Sequence, residues 1–197
     1  SIGDQFQLAN IREAHKAFWE TLYSSGGWTL YCGERFESKG ELVIEEVYPI
    51  ERVMKLYGCE TREQCRTESA RFNRVESDLH NLYPASNMID MARKDYDFGM
   101  IVGEFREFFE CDFERDVRDK RAEPRTVARG NVARSILYMN TEYDLPIDPQ
   151  TAQQLLIWNK DDPPSKDELR RNDLIQQLQG TRNIYIDNPA KADELVF

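Results

Sequence analysis

The sequence predicts an α+β fold in one domain, and two patterns predict it. Apolar residues recur every three or four positions over several stretches, each bounded by a capping residue, a glycine or a proline. Between these stretches lie short strand-sized runs separated by polar turns. The chain has 197 residues, long enough for one domain with a real core. No internal repeat, low-complexity tract or linker divides residues 1–197.

The elements follow in order. Ile11, Ala14, Phe18 and Leu22 mark an amphipathic helix that Gly26 and Gly27 close. Runs 28–33 and 41–47 read as strands on either side of a polar turn around Ser38 and Gly40. Beyond Pro49 a short linker is expected, carrying Cys59 and Cys65. Thr61 and Gln64 stand at capping-box spacing, and Phe72, Val75, Leu79 and Leu82 continue a helical stripe. After Pro84, Ser86–Asn87 can cap a short helix to about Lys94. Extended chain is expected again at 100–102 and 111–113. The last third is helical: Arg129 to Tyr143, then a helix opened by Pro149, then one opened by Ser165 with Glu168 and stopped at Gly180.

Composition narrows the class. No apolar run approaches the roughly 18 residues of a membrane-spanning helix. The chain opens at Ser1 without a leader-like segment, which is expected of a cytosolic protein or of one whose leader has been removed. Four cysteines without close metal-site spacing favour two disulfides and an oxidising compartment, with four buried thiols as the alternative. Of three connectivities, Cys59–Cys65 with Cys32–Cys111 is the one expected. The net charge of -10 argues against a generally basic nucleic-acid binder and leaves room for a local basic cleft.

Three segments carry chemistry. Ile44-Glu45-Glu46-Val47-Tyr48-Pro49 ends a strand in two carboxylates; by strand alternation they point apart unless the strand stops there. A charged strand end is its plainer reading. Asp78-Leu79-His80-Asn81-Leu82 surrounds one of two histidines, which on its own suits a structural hydrogen-bonder. The stretch from Glu123 to Arg134 holds Arg125, Arg129 and Arg134, and a solvated helix face would look the same.

In order, these segments resemble the bacterial endonuclease I family of secreted nucleases, of the ββα-metal (His-Me finger) class. The matching residues are Glu45-Glu46-Val47-Tyr48-Pro49, Arg62 before Cys65, Asp78 through Ala85, and Asp90-Met91-Ala92-Arg93. Arg129-Gly130-Asn131-Val132-Ala133-Arg134, Tyr138-Met139, Trp158-Asn159 and Gln179-Gly180-Thr181-Arg182-Asn183 continue the series. The resemblance covers about residues 28–187. It implies a ββα-metal core at about 41–95, with a second strand near Leu82, and a helical part at about 125–187.

The resemblance also implies roles. Glu45 and Asp90 would hold a divalent cation, Mg²⁺ or else Ca²⁺ or Mn²⁺. Arg62 would meet the scissile phosphate, and Arg93, Arg125, Arg129 and Arg134 would line a phosphate track. Glu46 stands where the family has its general-base histidine. Glutamate is the weaker base at neutral pH, so it is expected either to turn inward as a third metal ligand or to serve as a poor base. His80 belongs in the family pattern to the structural Asp-Leu-His-Asn segment, with a substitute base as the lesser alternative. The expectation is a monomeric, periplasmic or secreted endonuclease cutting DNA, and RNA as a second substrate, without sequence specificity and with impaired activity. The competing reading is an inactive nuclease-like domain that binds nucleic acid or protein.

Overall fold

The computed structural model describes residue 5 and residues 7–197. Helix α1 (Ile11–Ala17) opens on Asn10, whose side chain accepts from the Glu13 amide at 3.0 Å, while Glu13 accepts in return from the Ala9 amide at 2.9 Å. This reciprocal cap satisfies two amides that the helix itself leaves without acceptors. A π-helical turn over Phe18–Leu22 prolongs it. The runs expected at 28–33 and 41–47 contract to β1 (Gly27–Trp28), paired with β2 (Arg35–Phe36), and to β3 (Val43–Glu46).

The expected linker after Pro49 is instead helix α2 (Ile50–Tyr57). It buries Ile50 and Val53, and Gly58 ends it at φ 74°. Pro49 before the first turn, Glu51 within it and Lys55 in the last turn are ordinary helix signals. Helix α3 (Arg62–Glu68) is capped by Thr61, and α4 (Ala70–Glu76) by Ser69.

The stripe from Phe72 to Leu82 is not one helix. Asp78 leaves helical backbone at ψ 114° and caps a 3₁₀ turn over Leu79–Asn81, and Leu82 then begins β4 (Leu82–Ala85). Apolar spacing survives because both the helix and the strand after it face packed interiors, Phe72 and Val75 in one cluster, Leu79 and Leu82 in another. Helix α5 (Asn87–Arg93) follows, capped by Ser86.

Extended structure begins three residues before the first expected run and three after the start of the second. β5 (Asp97–Phe98) pairs parallel with β7 (Arg121–Glu123), and β6 (Glu114–Asp116) pairs antiparallel with β7. Residues 100–102 and 111–113 are irregular chain. Helices α6 (Arg129–Tyr143), α7 (Pro149–Asp161) and α8 (Lys166–Gln179) complete the helical part, and Gly180 ends α8 at φ 83°. A short α9 (Ile184–Asp187) follows.

The main core gathers Tyr31, Val47, Phe72, Ile89, Phe98, Phe113, Val132, Leu137 and Trp158, with Tyr83 and Ala122, so it joins the helical part to the β3–β4 pair and to the three-stranded sheet. A smaller core packs α1 and α8 against Leu79 and Leu82. Cys32 is bonded to Cys111 and Cys59 to Cys65, the expected pairing. Among the described residues no helix is long and apolar enough to cross a membrane.

Candidate active site

Antiparallel β3 and β4 pair Val43 with Ala85, Ile44 with Pro84, Glu45 with Tyr83 and Glu46 with Leu82. The chain then passes directly into α5, so two strands and a helix bring Glu45, Glu46 and Asp90 to one cleft of about 680 Å³. The strand end is held rigidly. Arg93 on α5 donates to the carbonyls of Glu46 (3.1 Å) and Val47 (2.8 Å), and Asn81 bonds both the amide and the carbonyl of Tyr48. Strand geometry stops at Glu46, and both adjacent carboxylates therefore line the cleft.

Glu45 is 3% exposed, and its Oε2 has no hydrogen-bond partner among the described residues. Its nearest cation is the buried Arg93, at 3.6 Å. Burial pushes the Glu45 carboxyl up to about 8; Asp90 and Glu46 push the same way, while Arg93 and the Tyr31 hydroxyl pull it down. Asp90 lies against Glu45 and is itself raised by burial. A buried, under-bonded carboxylate facing a second one suits a hard divalent cation, which supplies the charge both lack.

Glu46 makes a two-point pair with Arg62, at 2.5 and 2.9 Å. Burial pushes its carboxyl up to about 7 against the pull of Arg62. Arg62 also reaches Glu51 at 3.1 Å and the fully buried Glu76 at 3.3 Å, and Glu76 holds Arg66 as well. Glu46 is thus occupied by the guanidinium rather than turned toward Asp90 as a third ligand.

Residues 5–190 match the Endonuclease I family. The chain belongs to that family. It is 33% identical to a periplasmic deoxyribonuclease of Aeromonas hydrophila, over 93% of this chain and 88% of that protein. An extracellular deoxyribonuclease of Aeromonas hydrophila is 26% identical, over 91% and 90%. The similarity to Endonuclease-1 of Buchnera aphidicola, at 34% identity, spans 64% of this chain and half of that protein's length (50%).

Within this endonuclease I chain, the cleft brings together Glu45, Glu46, Arg62 and Asp90. It does not include the other four arginines singled out from sequence, and for two of them burial corrects the expectation outright. Arg134 is 0% exposed: Glu168 takes it at 2.7 Å on two nitrogens, and the Asp162 carbonyl takes a third bond. Gly130 makes room for it, since a Cβ there would meet the Asp162 carbonyl at 2.0 Å and the guanidinium at 2.4 Å. Arg93 is spent on backbone carbonyls and stacks on Phe98, at 4.2 Å. Arg129 is tied to Pro124 and Glu123. Arg125 lines a different groove and donates to the Leu30 carbonyl.

The cleft's other basic groups are Arg66 and Lys94, and α1 adds His15. Burial lowers the His15 pKa, partly against Glu76, so the ring is neutral near pH 7. Its place 31 residues before Glu46 gave no local signal. His80 is excluded as a base: it is buried, bonds the Thr181 carbonyl at 2.9 Å, and belongs to the scaffold. Asp78 beside it accepts from Tyr138, Tyr143, Gln179 and the His80 amide, which locks the turn leading into β4.

Proposed function

We propose that this chain is a secreted or periplasmic, divalent-metal-dependent endonuclease, acting as a monomer on DNA and also on RNA, with a rate depressed by Glu46. The observation that carries the reading is the buried Glu45 carboxylate, one oxygen of which has no hydrogen-bond partner among the described residues, lying against Asp90 in the cleft that Arg62 also lines. Glu45 and Asp90 would hold the cation, Mg²⁺ by the chemistry of few carboxylates and many waters. When bound, the cation supplies charge stabilisation at the scissile phosphate and at the leaving oxygen.

The residues of the chain do the rest. Arg62 has to loosen its hold on Glu46 to meet a phosphate oxygen, and Glu51 and Glu76 keep its guanidinium in place meanwhile. His15, neutral and open to the cleft, accepts the proton of the attacking water. Two disulfides suit an oxidising compartment, and two relatives are named as periplasmic and extracellular deoxyribonucleases. The Glu46–Arg62 pair also favours a second reading, a nuclease scaffold that binds without cutting.

Nicking of supercoiled plasmid in Mg²⁺ decides between them. The slow nicking expected stops in EDTA, in Glu45→Gln and in His15→Gln. Nicking that persists in EDTA or in Glu45→Gln would overturn the metal-dependent reading, and nicking that survives His15→Gln alone would remove its role as base. If neither this chain nor Glu46→His cuts, the binding reading replaces the enzyme.

A further inference from the structure

A second group of carboxylates lies outside the active-site cleft. Oxygens of Glu104, Asp112 and Glu114 all fall within 4.8 Å of one another. None of the three lines the Glu45–Asp90 cleft. Glu114 is 3% exposed, and its Oε1 has no hydrogen-bond partner among the described residues. Burying a carboxylate against two others is costly unless a cation compensates it. Burial first, then Asp112, Glu104 and Glu123, raise the Glu114 pKa.

The neighbouring basic groups do not neutralise this cluster. Arg129 is engaged by Glu123, at 3.2 Å, and the other Glu123 oxygen accepts from the Ile101 amide. Arg106 touches the edge of Asp112 at 3.9 Å and is half exposed.

The backbone beneath the cluster is held in place. Cys111 is bonded to Cys32, and Phe113 is fully buried against Tyr31, with ring centroids 5.2 Å apart. Asp112 and Glu114 therefore flank a fixed point, whereas Glu104 comes from the irregular chain between β5 and β6. We propose that Glu104, Asp112 and Glu114 form a second cation site, taking a hard divalent ion of the Ca²⁺ type and tying this long loop to the edge of the three-stranded sheet. Three carboxylates, two of them on irregular chain, suit the variable oxygen geometry of Ca²⁺ better than the strict octahedron of Mg²⁺. The loop so tied carries the exposed Phe105 and Phe109.

Thermal unfolding of the full chain with and without Ca²⁺ tests the site separately from the active-site reading. At a hundredfold excess over Kd the melting temperature should rise by about 5–10 °C. The rise should persist in Asp90→Asn and be lost when Asp112→Asn or Glu104→Gln is added to that variant, two substitutions at positions that are not buried and so spare the fold. No rise in the unaltered protein would overturn the proposal. So would a rise that survives adding both Asp112→Asn and Glu104→Gln to Asp90→Asn, or one that Asp90→Asn alone abolishes.

Discussion

Replacing Glu46 separates two effects that its position combines. In Glu46→Gln the shape is kept while the charge and the two-point pair with Arg62 are lost. Close, partly desolvated charge pairs couple by about 1.5 kcal/mol or more, and here the side chains are 31% and 16% exposed. A phosphate must displace Glu46 from Arg62 before binding, so releasing that carboxylate should improve kcat/KM by roughly tenfold. The gain stays at the low end because Glu51 and Glu76 still hold the guanidinium. Glu46→His releases Arg62 equally and adds an imidazole at the strand end. A general base contributes about 10² to 10⁴, of which His15 already supplies a part, so the histidine variant should exceed the parent by on the order of 10² or more.

Single-turnover cleavage of a labelled duplex in Mg²⁺, with DNA affinity measured in parallel in EDTA, reads both terms. The glutamine variant should bind more tightly than the parent, and the histidine variant should cut far faster than glutamine. Equal affinity of Glu46→Gln and the parent would refute the competition for Arg62. Equal rates for the glutamine and histidine variants would refute a role for position 46 in proton transfer.

Two further outcomes follow from buried groups. Arg134→Ala strands Glu168 without its partner, a loss of about 3–5 kcal/mol, and should lower the melting temperature by roughly 6–20 °C. The DNA affinity of the folded protein should stay unchanged; a loss of affinity at constant melting temperature would return Arg134 to the phosphate track. His80 is held down to about 4, first by burial, with Asp78 pulling upward. Its folded pKa lies below the ordinary 6.5, so its contribution to stability is complete above pH 6.5 and is lost as pH falls toward 4. Histidine ring resonances followed by NMR should show one imidazole, His15, titrating below 6.5 and the other near 4. His80 titrating at its ordinary value would refute its burial as a neutral ring.

Local chemistry explains what was legible in the residues alone. Ser165 with Glu168, Gly180, Pro149 and the Ser86 cap act over a few residues, so the helices they bound could be read directly. The order of strand, strand and helix carrying Glu45 and Asp90 followed from the family resemblance of the motifs, whereas the pairing of the four cysteines was one expectation among three connectivities. Helix α2 stands where a linker was expected, although Pro49, Glu51 and Lys55 are ordinary helix signals. The fate of each arginine depended on the tertiary structure. A guanidinium in a helical pattern looks the same whether it meets water or a carboxylate, and the partner of Arg134 lies 34 residues away. In the same way only packing brought His15 of the first helix to the cleft, and only packing set Arg62 on Glu46. The sequence determined which groups could do the chemistry; long-range packing decided which of them face the cleft, because burial and ion pairing depend on neighbours that local spacing does not encode.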